Sequence, residues 1–210
     1  MFRLHARITR GLVVALLALA GSGARAQMTL AENTSGIQFG PAVPGQSVTT
    51  PAGGPFNSLA FNFFQFETGV GSQPVANGTL FLLSQAYTGT PAGLSSATAG
   101  FIAQATGTGV GGAFTFDPGV TLQDSTQYFF YANTGQGSVL SNFTGNPYAG
   151  GNAYFASPGF ISFAPADFQF RLTGQVAPAQ TVIPEPGTLA LLASGILSVG
   201  GLALRRRQTR

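Results

Sequence analysis

The chain has 210 residues and a formal net charge of +3, but all nine cations are Arg and eight of them lie at the two ends. Between Gln27 and Pro184 a single cation, Arg171, stands against Glu32, Glu67, Asp117, Asp124 and Asp167, so the middle carries −4. That acidity excludes nucleic acid as a partner of the middle segment. There is no Cys, and the lone His5 sits in the first ten residues. The middle therefore has no thiolate or imidazole, which excludes Cys–His and Ser–His–Asp catalysis and Cys- or His-ligated metals there. All five Tyr and 18 of the 19 Phe fall in that middle, enough apolar material for one core.

The N-terminus begins with Arg3, Arg7 and Arg10, continues as an apolar run from Gly11, and reaches small residues at Ala24 and Ala26. These are the three parts of a secretory signal peptide, predicted as residues 1–26 with cleavage after Ala26. The apolar run is shorter than the roughly 20 residues of a membrane span.

Residues 27–174 read as one all-β domain, an antiparallel β-sandwich or jelly roll. Phe168, Phe170 and Leu172 alternate with Gln169, Arg171 and Thr173, the pattern of a half-buried strand. Leu59 to Phe63 alternates as well, but Phe64-Gln65-Phe66 resumes in the opposite phase, which predicts a β-bulge near Phe63 or Phe64. Further strands are predicted over 79–84, 100–104, 113–116, 127–132, 138–140 and 153–155. Turn signals separate them, including Asn77-Gly78, Asp117-Pro118-Gly119 and Pro158-Gly159. A β-solenoid would need a fixed repeat, and none is found; a low-complexity coil does not fit the alternation.

Chemistry in this body is sparse. A glycosidase needs two carboxylates facing each other across a sugar, yet Asp117 and Asp124 read as turn and loop residues, and Glu67 and Asp167 flank strand ends. The body is therefore expected to be non-enzymatic, with a secreted hydrolase as the least favoured alternative. No cofactor is expected. Calcium could draw on Asp117, Asp124 and Asp167, although no closely spaced acidic cluster appears. The Gly-rich stretch from Asn142 to Tyr154 mixes amides, hydroxyls and aromatic rings, so Tyr148 and Tyr154 are candidate carbohydrate-binding residues. The opposing reading packs Tyr148 over a glycine turn and buries Tyr154 in the core.

After a predicted linker over 175–186, residues 187–204 are uncharged and long enough as a helix to cross most of a bilayer. Arg205, Arg206 and Arg207 follow in the basic tail, 205–210, and the positive-inside rule places them in the cytoplasm. Just before the span, Pro184 and Pro186 flank Glu185 and fix an extended approach. An enzyme groove can hold such a strand, with Glu185 as its charged handle; a helix start with a favourably placed acid explains the same residues.

Pro184-Glu185-Pro186, the apolar span and the terminal Arg cluster together resemble the PEP-CTERM sorting signal of Gram-negative bacteria. The resemblance implies export, an inner-membrane-anchored precursor, and recognition and cleavage by an exosortase, with Pro184, Glu185 and Pro186 as recognition residues and Arg205 to Arg207 as the retention signal. It also implies a place at the cell surface or in an extracellular, biofilm-associated matrix, with export machinery and extracellular polysaccharide as partners and the inner membrane as a transient one. The ordered segments 46–54, 59–61, 113–116 with 120–122, and 126–131 resemble the jelly-roll modules of surface-anchored bacterial proteins. A lectin-like carbohydrate-binding module is the alternative function.

Overall fold

The structure is a computed structural model; it describes residues 26–67, 71–143 and 145–178, without the side chains of Gln38 and Phe39. Residues 1–25 of the expected signal peptide lie outside the described residues, as do the Pro-Glu-Pro motif, the expected span over 187–204 and the Arg tail. Among the described residues no helix is long and apolar enough to cross a membrane.

Fifteen strands run in chain order through the described residues: β1 (Met28–Asn33), β2 (Ile37–Pro41), β3 (Pro44–Thr49), β4 (Phe56–Glu67), β5 (Gly71–Ala76), β6 (Thr79–Leu83), β7 (Phe101–Thr106), β8 (Gly109–Val110), β9 (Phe114–Thr115), β10 (Gln127–Ala132), β11 (Ser138–Asn142), β12 (Ala153–Ala156), β13 (Phe160–Phe163), β14 (Asp167–Phe168) and β15 (Phe170–Val176). They form the expected all-β sandwich of two antiparallel sheets. One sheet follows the path β1-β15-β4-β11-β14, with β2 on β11, β5 and β9 on β4, and β8 on β5; the other is β13-β12-β3-β10-β6-β7.

The long strand β4 is the spine of the first sheet. Phe56, Leu59, Phe61 and Phe63 point inward from it and are fully enclosed. Across the sandwich Phe61 stacks on Phe130 of β10 at 4.5 Å, and within its own sheet it lies parallel to Phe170 of β15 at 5.7 Å. Leu80, Leu82, Phe114, Val139, Phe168 and Leu172 complete this core.

The phase change after Phe63 has a different origin from the one predicted. Pairing of β4 with β5 is continuous from Phe63↔Val75 to Glu67↔Gly71, so no residue is inserted at Phe63 or Phe64. Alternation carries on, Phe64 simply belongs to the outer face, and the Arg171 guanidinium lies 5.9 Å from its ring centre. The irregularity lies nearer the strand start: Ser58 and Leu59 together oppose Gly174, where the β4–β15 register shifts. Ser58 takes a positive φ of 52° there, the left-handed conformation that one class of bulge uses.

The predicted strand around Phe168 is broken as well. Phe168 pairs with Ser141 of β11 and Phe170 with Phe63 of β4. Gln169, between them, donates its backbone N–H to Leu140 and accepts one from Phe64. Its side chain is buried rather than solvated, accepting from Ser72 Oγ at 2.6 Å.

The two sheets differ on their outer faces. The centre of the second sheet is buried on both sides, because the segment between β6 and β7 folds over it and helps form a second core of Phe81, Leu83, Leu94, Phe129, Tyr131, Tyr154 and Phe160. Tyr131 is enclosed there and its hydroxyl accepts the Tyr87 N–H at 3.1 Å; burial pushes its proton affinity up. The ring occupies the space where Gly45 of the neighbouring β3 would otherwise carry a Cβ. A strand containing both Pro44 and Gly45 is thus accommodated between β10 and β12: the proline stands at its first residue and the glycine leaves room for the ring.

Candidate functional site

The residues proposed for sugar contact are spent on the fold. Tyr154 on β12 is 8% exposed. Its ring meets Tyr131 edge-on at 5.3 Å and Phe129 at 6.0 Å, so the ring sits in the second core and has no open face for a sugar. Tyr148 is half-buried, edge-on to Phe170 at 5.2 Å. Its hydroxyl donates to the Thr49 carbonyl at 2.9 Å and accepts the Thr49 N–H at 3.1 Å. Gly150 fits against this ring because a Cβ there would strike it. Burial raises the Tyr148 proton affinity, the Thr49 bond opposes the shift, and the charge of Asp167 adds to it.

The carboxylates are dispersed. Glu32 on β1 pairs with Arg171 on β15 at 2.9 Å, both partners well exposed. Asp117 accepts the Gly119 N–H at 2.7 Å, the turn role expected of it. Glu67 accepts from Gln65 Nε2 at 3.1 Å, and Asp124 is exposed in the β9–β10 connection. The three acids named for calcium do not assemble: among the described residues no three His, Cys, Asp or Glu side chains come together as a metal site.

Asp167 departs from its predicted role as a solvated strand end, because it is fully buried. Its Oδ1 accepts from Gln46 Nε2 at 2.9 Å and its Oδ2 accepts the Tyr148 N–H at 3.1 Å. Asn146, turned so that both its amide atoms are satisfied, donates to the same Oδ2 at 3.1 Å and to the Tyr148 carbonyl at 3.1 Å. Gln46 in turn accepts the Phe168 N–H at 3.0 Å. One carboxylate thus joins β3 of one sheet, β14 of the other and the 145–148 turn. Burial raises the Asp167 carboxyl above the usual aspartate range, and the Gln46 and Tyr148 donors pull it back. Nothing in the sequence signalled this, since Gln46 and Asp167 are 121 positions apart.

One concave feature among the described residues is apolar. At one edge the two sheets part, and Pro41, Val43, Phe143, Phe155, Ile161 and Phe163 line an open cleft of about 620 Å³. Ile161 and Phe163 pair with Phe155 and Ala153, so they share the inward face of the second sheet. They lie on its edge strand and remain 57% and 52% exposed. Phe143, Phe155 and Phe163 contact one another at 5.5 to 5.7 Å, and Phe155 continues into the core against Phe168 at 4.6 Å. The cleft is the uncovered end of the main core. Its walls carry no charged side chain and suit apolar contact rather than acid–base chemistry. The sequence does not signal this cleft, because the short β13 shows too little alternation to be recognised.

Residues 182–207 match the family model for the PEP-CTERM protein-sorting motif. The match takes in Pro184, Glu185 and Pro186, the apolar run and Arg205 to Arg207. No curated protein and no solved structure matches the chain. The motif is a signal for exosortase recognition and implies an exosortase-targeted exported protein with a membrane-anchored precursor.

Proposed function

We propose that this is a non-enzymatic protein of the bacterial cell surface or extracellular matrix, delivered with an N-terminal signal peptide and released by exosortase cleavage near Glu185, whose β-sandwich acts as a structural or adhesive module. The sorting motif at 182–207 carries this reading. The body supports it. Glu32, Asp117 and Asp167 are engaged in an ion pair, a turn and a buried network respectively, and the concave surface is apolar. Such a body is suited to persistence and contact rather than turnover.

Mass spectrometry of the protein recovered from outside the cell tests the delivery. The expected mature form begins at Gln27 and ends near the Pro-Glu-Pro motif, and Glu185→Ala should leave an untrimmed, cell-associated chain. Release of a normally trimmed protein from a strain lacking exosortase would overturn the sorting reading. Recovery of the protein in the isolated extracellular matrix tests the matrix role, and its absence there would refute it; retardation in affinity electrophoresis against extracted matrix polysaccharide would instead favour the lectin-like alternative.

A further inference from the structure

We propose that Asn77 is the deamidation site of this chain and that the buried side chain of Gln136 sets its rate by clamping the Asn77 backbone. Asn77 and Gly78 are the two residues that carry the chain from β5 of the first sheet to β6 of the second. They are also the one Asn-Gly pair in the sequence. Asn-Gly is the dipeptide most prone to lose its side-chain amide, because glycine has no side chain to hinder approach through its nitrogen. The Gly78 nitrogen gives up its proton and attacks the side-chain carbonyl carbon of Asn77; a C–N bond forms, ammonia leaves, and a cyclic imide results. Water then opens either imide carbonyl, which leaves aspartate or isoaspartate at position 77. A bulkier residue at 78 would slow the attack but does not fit: Gly78 has a φ of 69°, which favours glycine, and a Cβ there would strike Thr134 and Asn133.

Protection comes from Gln136 instead, which lies in the link from β10 to β11 and is fully enclosed. Its Oε1 accepts the Asn77 N–H at 2.9 Å, and its Nε2 donates to the Asn77 carbonyl at 2.7 Å and to the Thr134 carbonyl at 2.9 Å. The acceptor and both donor positions of the side-chain amide are thereby committed. Backbone bonds fix the surroundings: the Gln136 N–H donates to the Ala42 carbonyl at 3.0 Å, and the Gly107 N–H donates to the Gly78 carbonyl at 2.7 Å. Closing the imide ring requires rotation about the bond between the Asn77 Cα and its backbone carbonyl carbon. That carbonyl and the Gly78 nitrogen belong to one rigid peptide plane, so turning the nitrogen toward the side chain carries the carbonyl off Gln136 Nε2. Attack therefore waits for a local opening in which the clamp lets go.

Ageing of the full chain in detergent micelles at mildly alkaline pH, followed by peptide mass spectrometry with isoaspartate detection, provides the test. Asn77 should convert about tenfold or more slower in the native chain than in the same chain unfolded in urea. Gln136→Met keeps the length of the side chain and loses its three side-chain bonds. It should speed conversion at Asn77 about tenfold, while amides of β4 and β10 keep their protection from hydrogen exchange. If that variant does not fold, the unaltered chain decides: as urea is raised below the unfolding transition, conversion of Asn77 and exchange of its N–H should rise in the same proportion, because both need the clamp open. Conversion of the native chain at the unfolded rate, an unchanged rate in Gln136→Met, acceleration matched by an equal loss of protection in β4 and β10, or conversion that does not follow exchange of the Asn77 N–H would each overturn the assignment.

Discussion

Phe63 and Phe64 are adjacent and chemically identical, yet the sandwich assigns them to opposite faces, and truncating each to alanine measures that assignment. Phe63 is fully enclosed, edge-on to Phe61 at 4.9 Å and to Phe168 at 5.7 Å. Removing a buried aromatic of this kind costs about 3–5 kcal/mol, roughly a fifth or more of a domain stability of about 5–15 kcal/mol. Phe64 is half-buried on the outer face, beside Pro74 and with the Arg171 guanidinium 5.9 Å away. An exposed cation–π contact is worth about 0.5–1 kcal/mol; with partial burial added, Phe64→Ala should cost about 1 kcal/mol. The chain has no Trp, so urea unfolding of the full chain in detergent is best followed by circular dichroism. With a urea slope of about 2 kcal/mol per molar, Phe63→Ala should lower the midpoint by about 1.5–2.5 M and Phe64→Ala by about 0.5 M. Equal losses at the two positions would refute the uninterrupted register and return the bulge to Phe63 or Phe64.

Tyr148→Phe deletes both hydroxyl bonds to the Thr49 backbone and should cost about 1–3 kcal/mol in urea unfolding, while leaving migration through matrix polysaccharide unchanged; weaker retardation at full stability would restore the residue to a sugar-binding role. For global stability Asp167 has a definite sign. Its folded-state affinity for the proton is raised above the ordinary value of 3.8, so its contribution is fully present below that pH and is lost as pH rises through the folded value. Urea midpoints taken from acid to neutral pH should show this decline in the native chain and lack it in Asp167→Asn; parallel curves would contradict it. Arg171→Ala breaks an ion pair whose partners are 44% and 43% exposed and should cost under about 1 kcal/mol, less at high salt. Ile161→Ser with Phe163→Ser should leave the unfolding free energy within about 1 kcal/mol of native and reduce fluorescence of an apolar dye such as ANS; undiminished dye signal would mean that the cleft is not the exposed apolar surface.

The sequence by itself was enough for the class of fold and the direction of several faces. Phe168, Phe170 and Leu172 are buried on one side as their alternation requires, and Asp117 closes the turn that Asp-Pro-Gly announces. The sorting motif, too, is local information: a tripeptide, an apolar run and an Arg cluster in fixed order, which a family model matches over 182–207. Period-2 alternation and short motifs are legible because each depends on residues a few positions apart.

What the tertiary structure decided depends on residues far apart in the chain. Alternation cannot say whether a strand's outer face meets water or a second layer, so the burial of both faces of β10, and with it the fate of Tyr154, followed only once the segment between β6 and β7 was seen to cover that sheet. Neither strand propensity nor hydropathy places Pro44 and Gly45 in a central strand; pairing with β10 and β12 does, with the Tyr131 ring in the space that a Cβ at Gly45 would need. Asp167 looked like a solvated strand end because a carboxylate with no nearby cation ordinarily seeks water. Its burial is permitted by N–H donors from β3 and the 145–148 turn, which only the closed sandwich brings to it.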